Sequence, residues 1–215
     1  MRLEYALTVN DPRSVMVSVI QAKSTGRSHL SKVDVMTVLG ICQARKGLGL
    51  SLMYAKYTKD KVETASALKE LQPVATSLWV TGDASRGLKG NGSLVDKRHA
   101  LAIRCLAALA LEDYCRTVDT AGAMCRCKGR GRVVDPVSRE FPDEPGIKTC
   151  PRCHGLGVTP FPASRVYRTV NKLIPELPQS TFYAKWKLIY DLLVERCYQE
   201  ESTVEQEYKL LANNY

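Results

Sequence analysis

Three observations predict a mainly α-helical fold with a metal-binding module set into it. Apolar residues recur at the helical period over most of the chain, and no segment alternates with comparable strength. The middle breaks that pattern with two matching turns, MCRCKGRG at 124 to 131 and CPRCHGLG at 150 to 157. Both read Cys, spacer, Cys, one residue, Gly, one residue, Gly, but the first spacer is one residue and the second is two.

The 215 residues, 45% hydrophobic, suffice for one sizeable core, or one core with a small satellite, without disulfide staples. The first twenty residues place Glu4, Asp11 and Arg13 where a secretory signal needs an unbroken apolar run, and CLAALAL at 105 to 111 is far too short to span a bilayer. A soluble intracellular protein with no membrane partner is the expectation. In a reducing compartment eight cysteines favour thiols and metal ligands over disulfides.

Residues 1 to 30 show no sustained period and contain Pro12 and Gly26, which predicts a flexible N-terminal arm. A helical body follows over 31 to 116. Ser31 reads as the N-cap of a helix with Val35, Val38, Leu39 and Cys42 on one stripe and Gly47 as its stop. Two further helices are expected over 48 to 57 and 61 to 80, the second interrupted by Pro73, before a glycine-rich linker at 82 to 93. A long helix then carries Leu94, Leu101, Cys105 and Leu109, with Ala108 and Leu111 less strictly placed, a stripe wide enough to be covered on two sides.

Residues 117 to 160 hold the predicted zinc-binding module. Cys125, Cys127, Cys150 and Cys153 sit in Gly/Pro-rich sequence with no apolar period to explain them, whereas Cys42, Cys105 and Cys197 fall on apolar stripes as small buried hydrophobes. Two tight turns facing one another supply four sulfurs at about 2.3 Å around one Zn2+, and the glycines after each pair let the backbone curl around it. His154 reads as a neighbour of the site and not as a ligand.

Residues 161 to 202 hold two helices. The first presents Val166, Val170, Leu173 and Ile174 on one face and Arg165, Arg168, Thr169 and Lys172 on the other. Pro175 and Pro178 end it, and Ser180 is the expected cap of a last helix with Phe182, Trp186, Ile189, Leu193 and Cys197 in line. An acidic and polar tail is expected over 203 to 215. Charge divides along the chain: residues 117 to 172 hold ten Lys and Arg against five acids, and residues 191 to 207 one Arg against six acids, within a net +9. The basic middle suits a polyanion, while Glu200, Glu201, Glu205 and Glu207 belong toward protein or solvent.

The ordered stretches DVM, EDYCR, GAMCRCKGRGRVVD, CPRCHGLG, PASRVYR, LIPELPQ and CYQEES, from about residue 31 to about residue 202, together with the opening MRLE, resemble the Q late-gene antitermination proteins of lambdoid bacteriophages. The resemblance implies a helix-turn-helix DNA-binding domain interrupted by the zinc module. It implies a factor that binds double-stranded DNA at a late-promoter element, engages host RNA polymerase still holding its sigma factor at a pause, and carries it through terminators in the bacterial cytoplasm. Self-association on the DNA is left open. In that fold Arg165, Arg168, Thr169 and Lys172 face the major groove, and Arg126, Arg130 and Arg132 suit backbone phosphates. The family's first turn usually has two residues between its cysteines, so the single Arg126 is a departure that makes Cys115 the reserve ligand.

An alternative class, the DnaJ-type zinc module that binds unfolded polypeptide, uses four such repeats and a His-Pro-Asp loop; two repeats and no such tripeptide are present. Catalysis finds no support, because His29, His99 and His154 have no paired nucleophile or carboxylate pattern around them.

Overall fold

The computed structural model describes residues 3 to 10, 32 to 81, 94 to 141 and 144 to 213. The expected Ser31 cap, the linker at 82 to 93 and most of the N-terminal arm lie outside these residues. In chain order the elements are α1 (Leu3–Asn10), α2 (Lys32–Arg45), α3 (Gly47–Met53), a π-helical turn (Tyr54–Thr58), α4 (Lys61–Thr81) and α5 (Leu94–Tyr114). Then come β1 (Arg132–Phe141), β2 (Glu144–Thr149), α6 (Ala163–Leu173), α7 (Gln179–Thr181), a second π-helical turn (Phe182–Trp186) and α8 (Lys187–Ala212). Among the described residues no helix is long and apolar enough to cross a membrane.

The main core lies between α4, α5, α6 and the first half of α8. In α4 the buried residues Ala67, Leu71, Ala75 and Trp79 recur every fourth position. Pro73 sits on the opposite, exposed face, so the helix runs through it: the hydrogen bond that proline removes opens toward water and not into the core. Trp79 and Trp186 pack with ring centroids 4.5 Å apart, and His99 leans on both.

The α5 register differs from the sequence expectation. Leu101 is exposed, and the buried positions are Ala102, Ile103, Leu106, Ala107, Leu109, Ala110, Leu111 and Tyr114. Large apolar residues alone do not reveal the alanines that let α4, α6 and α8 approach α5 closely.

A second core joins α1 to the end of α8, and it corrects the expectation for residues 3 to 10 of the arm and 203 to 212 of the tail. Leu3, Ala6 and Leu7 of α1 share one buried cluster with Val35, Val38, Leu39 and Cys42 of α2 and with Val204 and Tyr208 of α8. The last helix therefore does not fade near residue 202: Cys197, Glu201, Val204 and Tyr208 continue one buried stripe through sequence that looks merely acidic. Glu201 is buried because Lys56 Nζ lies 2.9 Å from it and the Tyr57 hydroxyl 2.9 Å from it. Glu207 pairs with Arg45, Glu200 with Arg196 and Glu205 with Lys209, so the acidic run is turned largely onto the protein itself.

Three local expectations are also corrected. Gly47 begins α3 and does not merely stop α2; two residues on, Gly49 lies so close to α8 that a Cβ there would fall 2.6 Å from the Glu200 carbonyl oxygen. Ser180 lies inside the first turn of α7, whose N-cap is Pro178. An antiparallel hairpin, β1 with β2, fills the space between the two Cys turns, with Arg132 opposite Thr149 and Val134 opposite Ile147.

Candidate metal centre and nucleic-acid interface

The hairpin brings the two Cys turns face to face. Cys125, Cys127, Cys150 and Cys153 are buried, and their Sγ atoms all lie within 4.8 Å of one another. Cys125 and Cys150 sulfurs are 3.9 Å apart, and those of Cys127 and Cys153 3.8 Å. Sulfurs about 2.3 Å from one tetrahedral centre stand about 3.8 Å from each other, so four thiols here can hold a metal ion.

The turns are related by an approximate two-fold exchange. The Gly131 N–H donates to Cys127 Sγ and the Gly157 N–H to Cys153 Sγ, both at 3.3 Å. The Cys125 N–H donates to the Gly157 carbonyl at 3.0 Å, and the Cys150 N–H to the Gly131 carbonyl at 2.8 Å. Lys128 and His154 both take positive φ, as do Gly129, Gly131, Gly155 and Gly157.

The missing residue of the first turn is absorbed at its start. The Lys128 N–H closes onto the Cys125 carbonyl three residues back, whereas the His154 N–H closes onto the Cys150 carbonyl four residues back. From Cys127 and Cys153 onward the two turns coincide. The shortened spacer therefore tightens one turn without expelling Cys125. Cys115 is not part of the cluster; it packs against the main core, where burial pushes its thiol up to about 11. Within the cluster, backbone N–H groups of Arg152 and Cys153 directed at the Cys150 sulfur bring its thiol down to about 7, while burial pushes Cys153 up to about 11. His154 is exposed.

After the module the chain returns through the buried Phe161 into α6. Val166, Val170 and, just past the helix, Ile174 are buried, and Leu173 is half-buried. On the outer face, Arg165 is already engaged: its Nη2 lies 2.7 Å from Glu112, and its guanidinium carbon stacks 3.8 Å above the Phe161 ring. Arg168 is exposed, its Nε donating to the Ser164 carbonyl of its own helix at 3.2 Å. Thr169 is half-buried and returns its hydroxyl to the Arg165 carbonyl at 3.0 Å. Lys172 is exposed in the last turn.

Arg126, Arg130 and Arg132 are exposed on the module. So are Lys128 and Arg152, which sequence reading passed over. The signal was present in the repeat: Arg126 and Arg152 each stand immediately before the second cysteine of their turns. The structure thus leaves Arg168, Lys172 and, on the module, Arg126, Lys128, Arg130, Arg132 and Arg152 facing solvent, and ties Arg165 to the body.

The sequence profile of a family described as antitermination protein Q matches residues 119–205. The chain is 36% identical over 203 residues to antitermination protein Q of Escherichia phage lambda, covering 94% of this chain and 95% of that relative. It is 36% identical over the same length to that of Escherichia phage HK022 and 35% identical to that of Salmonella phage P22, with equal coverage.

Proposed function

Because the chain belongs to the antitermination protein Q family, we propose that it is a DNA-binding transcription antitermination factor, regulatory and not catalytic. It binds a late-promoter element in the bacterial cytoplasm, engages RNA polymerase paused with its sigma factor, and makes that enzyme read through terminators. The observation that supports DNA binding best is α6, with one face buried at Val166 and Val170 and the other presenting Arg168 and Lys172 to solvent. In this reading α5 and α6, which pack on each other, form a helix-turn-helix whose connection carries the module at 117 to 160.

One zinc ion per chain, held by Cys125, Cys127, Cys150 and Cys153, fits the all-thiol donor set and its separations. Bound there, zinc acts structurally, cross-linking two turns too short to fold alone. Arg126, Arg130 and Arg132 then supply phosphate contacts from the module, joined by Lys128 and Arg152. Arg165 supports the helix through Glu112 and Phe161 more than it reads the groove.

Arg168→Ala tests the reading. Arg168 is exposed and its side chain bonds back to its own helix, so the melting temperature should hardly move. Specific binding to the late promoter should weaken by about 1–3 kcal/mol if the guanidinium reads a base, or the salt slope should fall by about one if it holds a phosphate. Val170→Asp, which forces a charge into the core, should lower stability and binding together. Isotherms at several salt concentrations, beside thermal melts, separate these outcomes. Unchanged affinity and slope in Arg168→Ala would move recognition away from α6, to the helix that begins after Pro178.

A further inference from the structure

The neck of the zinc module is closed by one buried ion pair that no motif of the metal site or of α6 includes. Asp113, at the end of α5, is nearly buried and accepts three hydrogen bonds. The Phe161 N–H donates to Oδ1 at 2.9 Å, Arg116 Nη1 to the same oxygen at 3.3 Å, and the Tyr190 hydroxyl of α8 to Oδ2 at 2.7 Å. Burial and the carboxylate together push the Tyr190 phenol far up, so it stays a donor.

Arg116 reaches in the other direction. Besides Asp113, its Nη1 donates to the Thr159 carbonyl and its Nη2 to the Gly122 carbonyl at 3.3 Å, with the guanidinium carbon 4.6 Å above the Phe161 ring. Gly122 leads into the module and Thr159 leads out of it. The two strands of the neck are also joined directly, the Thr159 N–H donating to the Ala123 carbonyl at 2.8 Å. A single guanidinium therefore spans both strands and pins them to α5, while Asp113 pins the same point to α8 and to Phe161. Phe161 in turn carries Arg165 of α6 on its other contact.

We propose that Asp113 and Arg116, with Tyr190, are positioning residues for DNA recognition: they fix the zinc module at one angle to α6, so that both surfaces engage the same duplex. The inference rests on the DNA-binding reading above, but Arg116 is committed to Asp113 and two carbonyls and touches no DNA. Planar five-donor geometry is what the junction uses; a lysine ammonium in its place cannot hold three acceptors in one plane. The contribution to DNA binding is preorganisation, which lowers the ordering cost of a two-part interface without adding a phosphate contact.

The test uses the full-length zinc-loaded protein and three variants, Arg116→Gln, Arg116→Lys and Tyr190→Phe. Specific affinity for late-promoter DNA should fall about tenfold in both Arg116 variants and a few-fold in Tyr190→Phe. Zinc content, non-specific DNA affinity and the salt slope should stay at their wild-type values. Amide exchange should quicken at Thr159, whose N–H bonds Ala123 across the neck, while Cys125, bonded to Gly157 inside the module, stays protected. A salt slope reduced by about one in Arg116→Gln would make Arg116 a phosphate contact and overturn the proposal. Loss of zinc or of the cooperative melt in all three variants would make the junction a matter of stability alone and overturn it too, as would unchanged specific affinity with unchanged exchange. A wild-type protein that binds no late-promoter DNA would instead sink the functional reading, while exchange at Thr159 would still show whether Arg116 fixes the neck.

Discussion

Cys150→Ser should release the metal and unfold the module while leaving most of the helical signal. Backbone N–H groups of Arg152 and Cys153 favour the Cys150 thiolate, so a serine hydroxyl there removes a ligand the turn has prepared. Among the described residues the module has little else to fold around: its own cluster is the four cysteines with Val133 beside them, and the hairpin's Val134 and Ile147 face solvent. Structural zinc contributes on the order of 10 kcal/mol or more to domains of this kind, far beyond what one partly buried valine supplies. The helices pack in the two other cores, which contain no residue of the hairpin. Zinc stoichiometry and far-ultraviolet circular dichroism on the variant check both halves. Full zinc occupancy would refute the ligand set. Cys115→Ser should keep its zinc, because that residue packs against the main core and the shortened turn closes without it.

The parts of this protein that were legible in its sequence are those where burial leaves a periodic trace. Val35, Val38, Leu39 and Cys42 on α2, and Phe182, Trp186, Ile189, Leu193 and Cys197 around the start of α8, are buried as their spacing implies. The four loop cysteines stood out for the opposite reason, since no apolar stripe accounted for them, and the fold brings them together. Helix α1 was not legible: eight residues give barely two turns of period, and the surface that buries Leu3 and Leu7 comes from the distant π-helical turn at 54 to 58 and from the far end of α8. The continuation of α8 was hidden by the same logic in reverse, because its glutamates suggested water when Lys56 and Arg45 were waiting across the fold.

The hairpin escaped notice because, among its described side chains, Val134 and Ile147 face solvent and only Val133 packs against the cysteine cluster, too little to mark an alternation, and Pro136 and Pro145 read as loop residues. Asp113 and Arg116 escaped because a charged pair at a helix end looks like surface until the chain that returns at Thr159 and Phe161 covers it. In each case what sequence could not supply was the identity of a distant partner. What it could supply, on α2 and α8 though not on α5, was a residue's own burial.

Gly131→Ala and Gly157→Ala should each lower zinc affinity by on the order of 10–100-fold, the range seen when groups that orient metal ligands are altered, whereas Gly122→Ala should leave it unchanged. All three glycines have φ near +70°, at 69°, 74° and 69° for Gly131, Gly157 and Gly122, so each alanine carries a similar left-handed strain of about 1–2 kcal/mol. Space separates them. A Cβ on Gly131 would fall 2.1 Å from the Gly155 carbonyl oxygen, and one on Gly157 would fall 2.3 Å from that of Gly129, about 1 Å inside an ordinary carbon–oxygen contact. Gly122 has nothing within 4 Å. Relieving either clash means moving one turn away from the other, and the same backbone carries the hydrogen bonds from Cys150 to Gly131 and from Cys125 to Gly157 that set the sulfur separations. The Gly122 variant should therefore lose about 2–4 °C of melting temperature per kcal/mol of strain and keep its metal. Competition with a chelator of known affinity reads the difference directly. Equal zinc affinity across the three variants would mean that strain alone matters, and that the close approach of the two turns does not hold the site together.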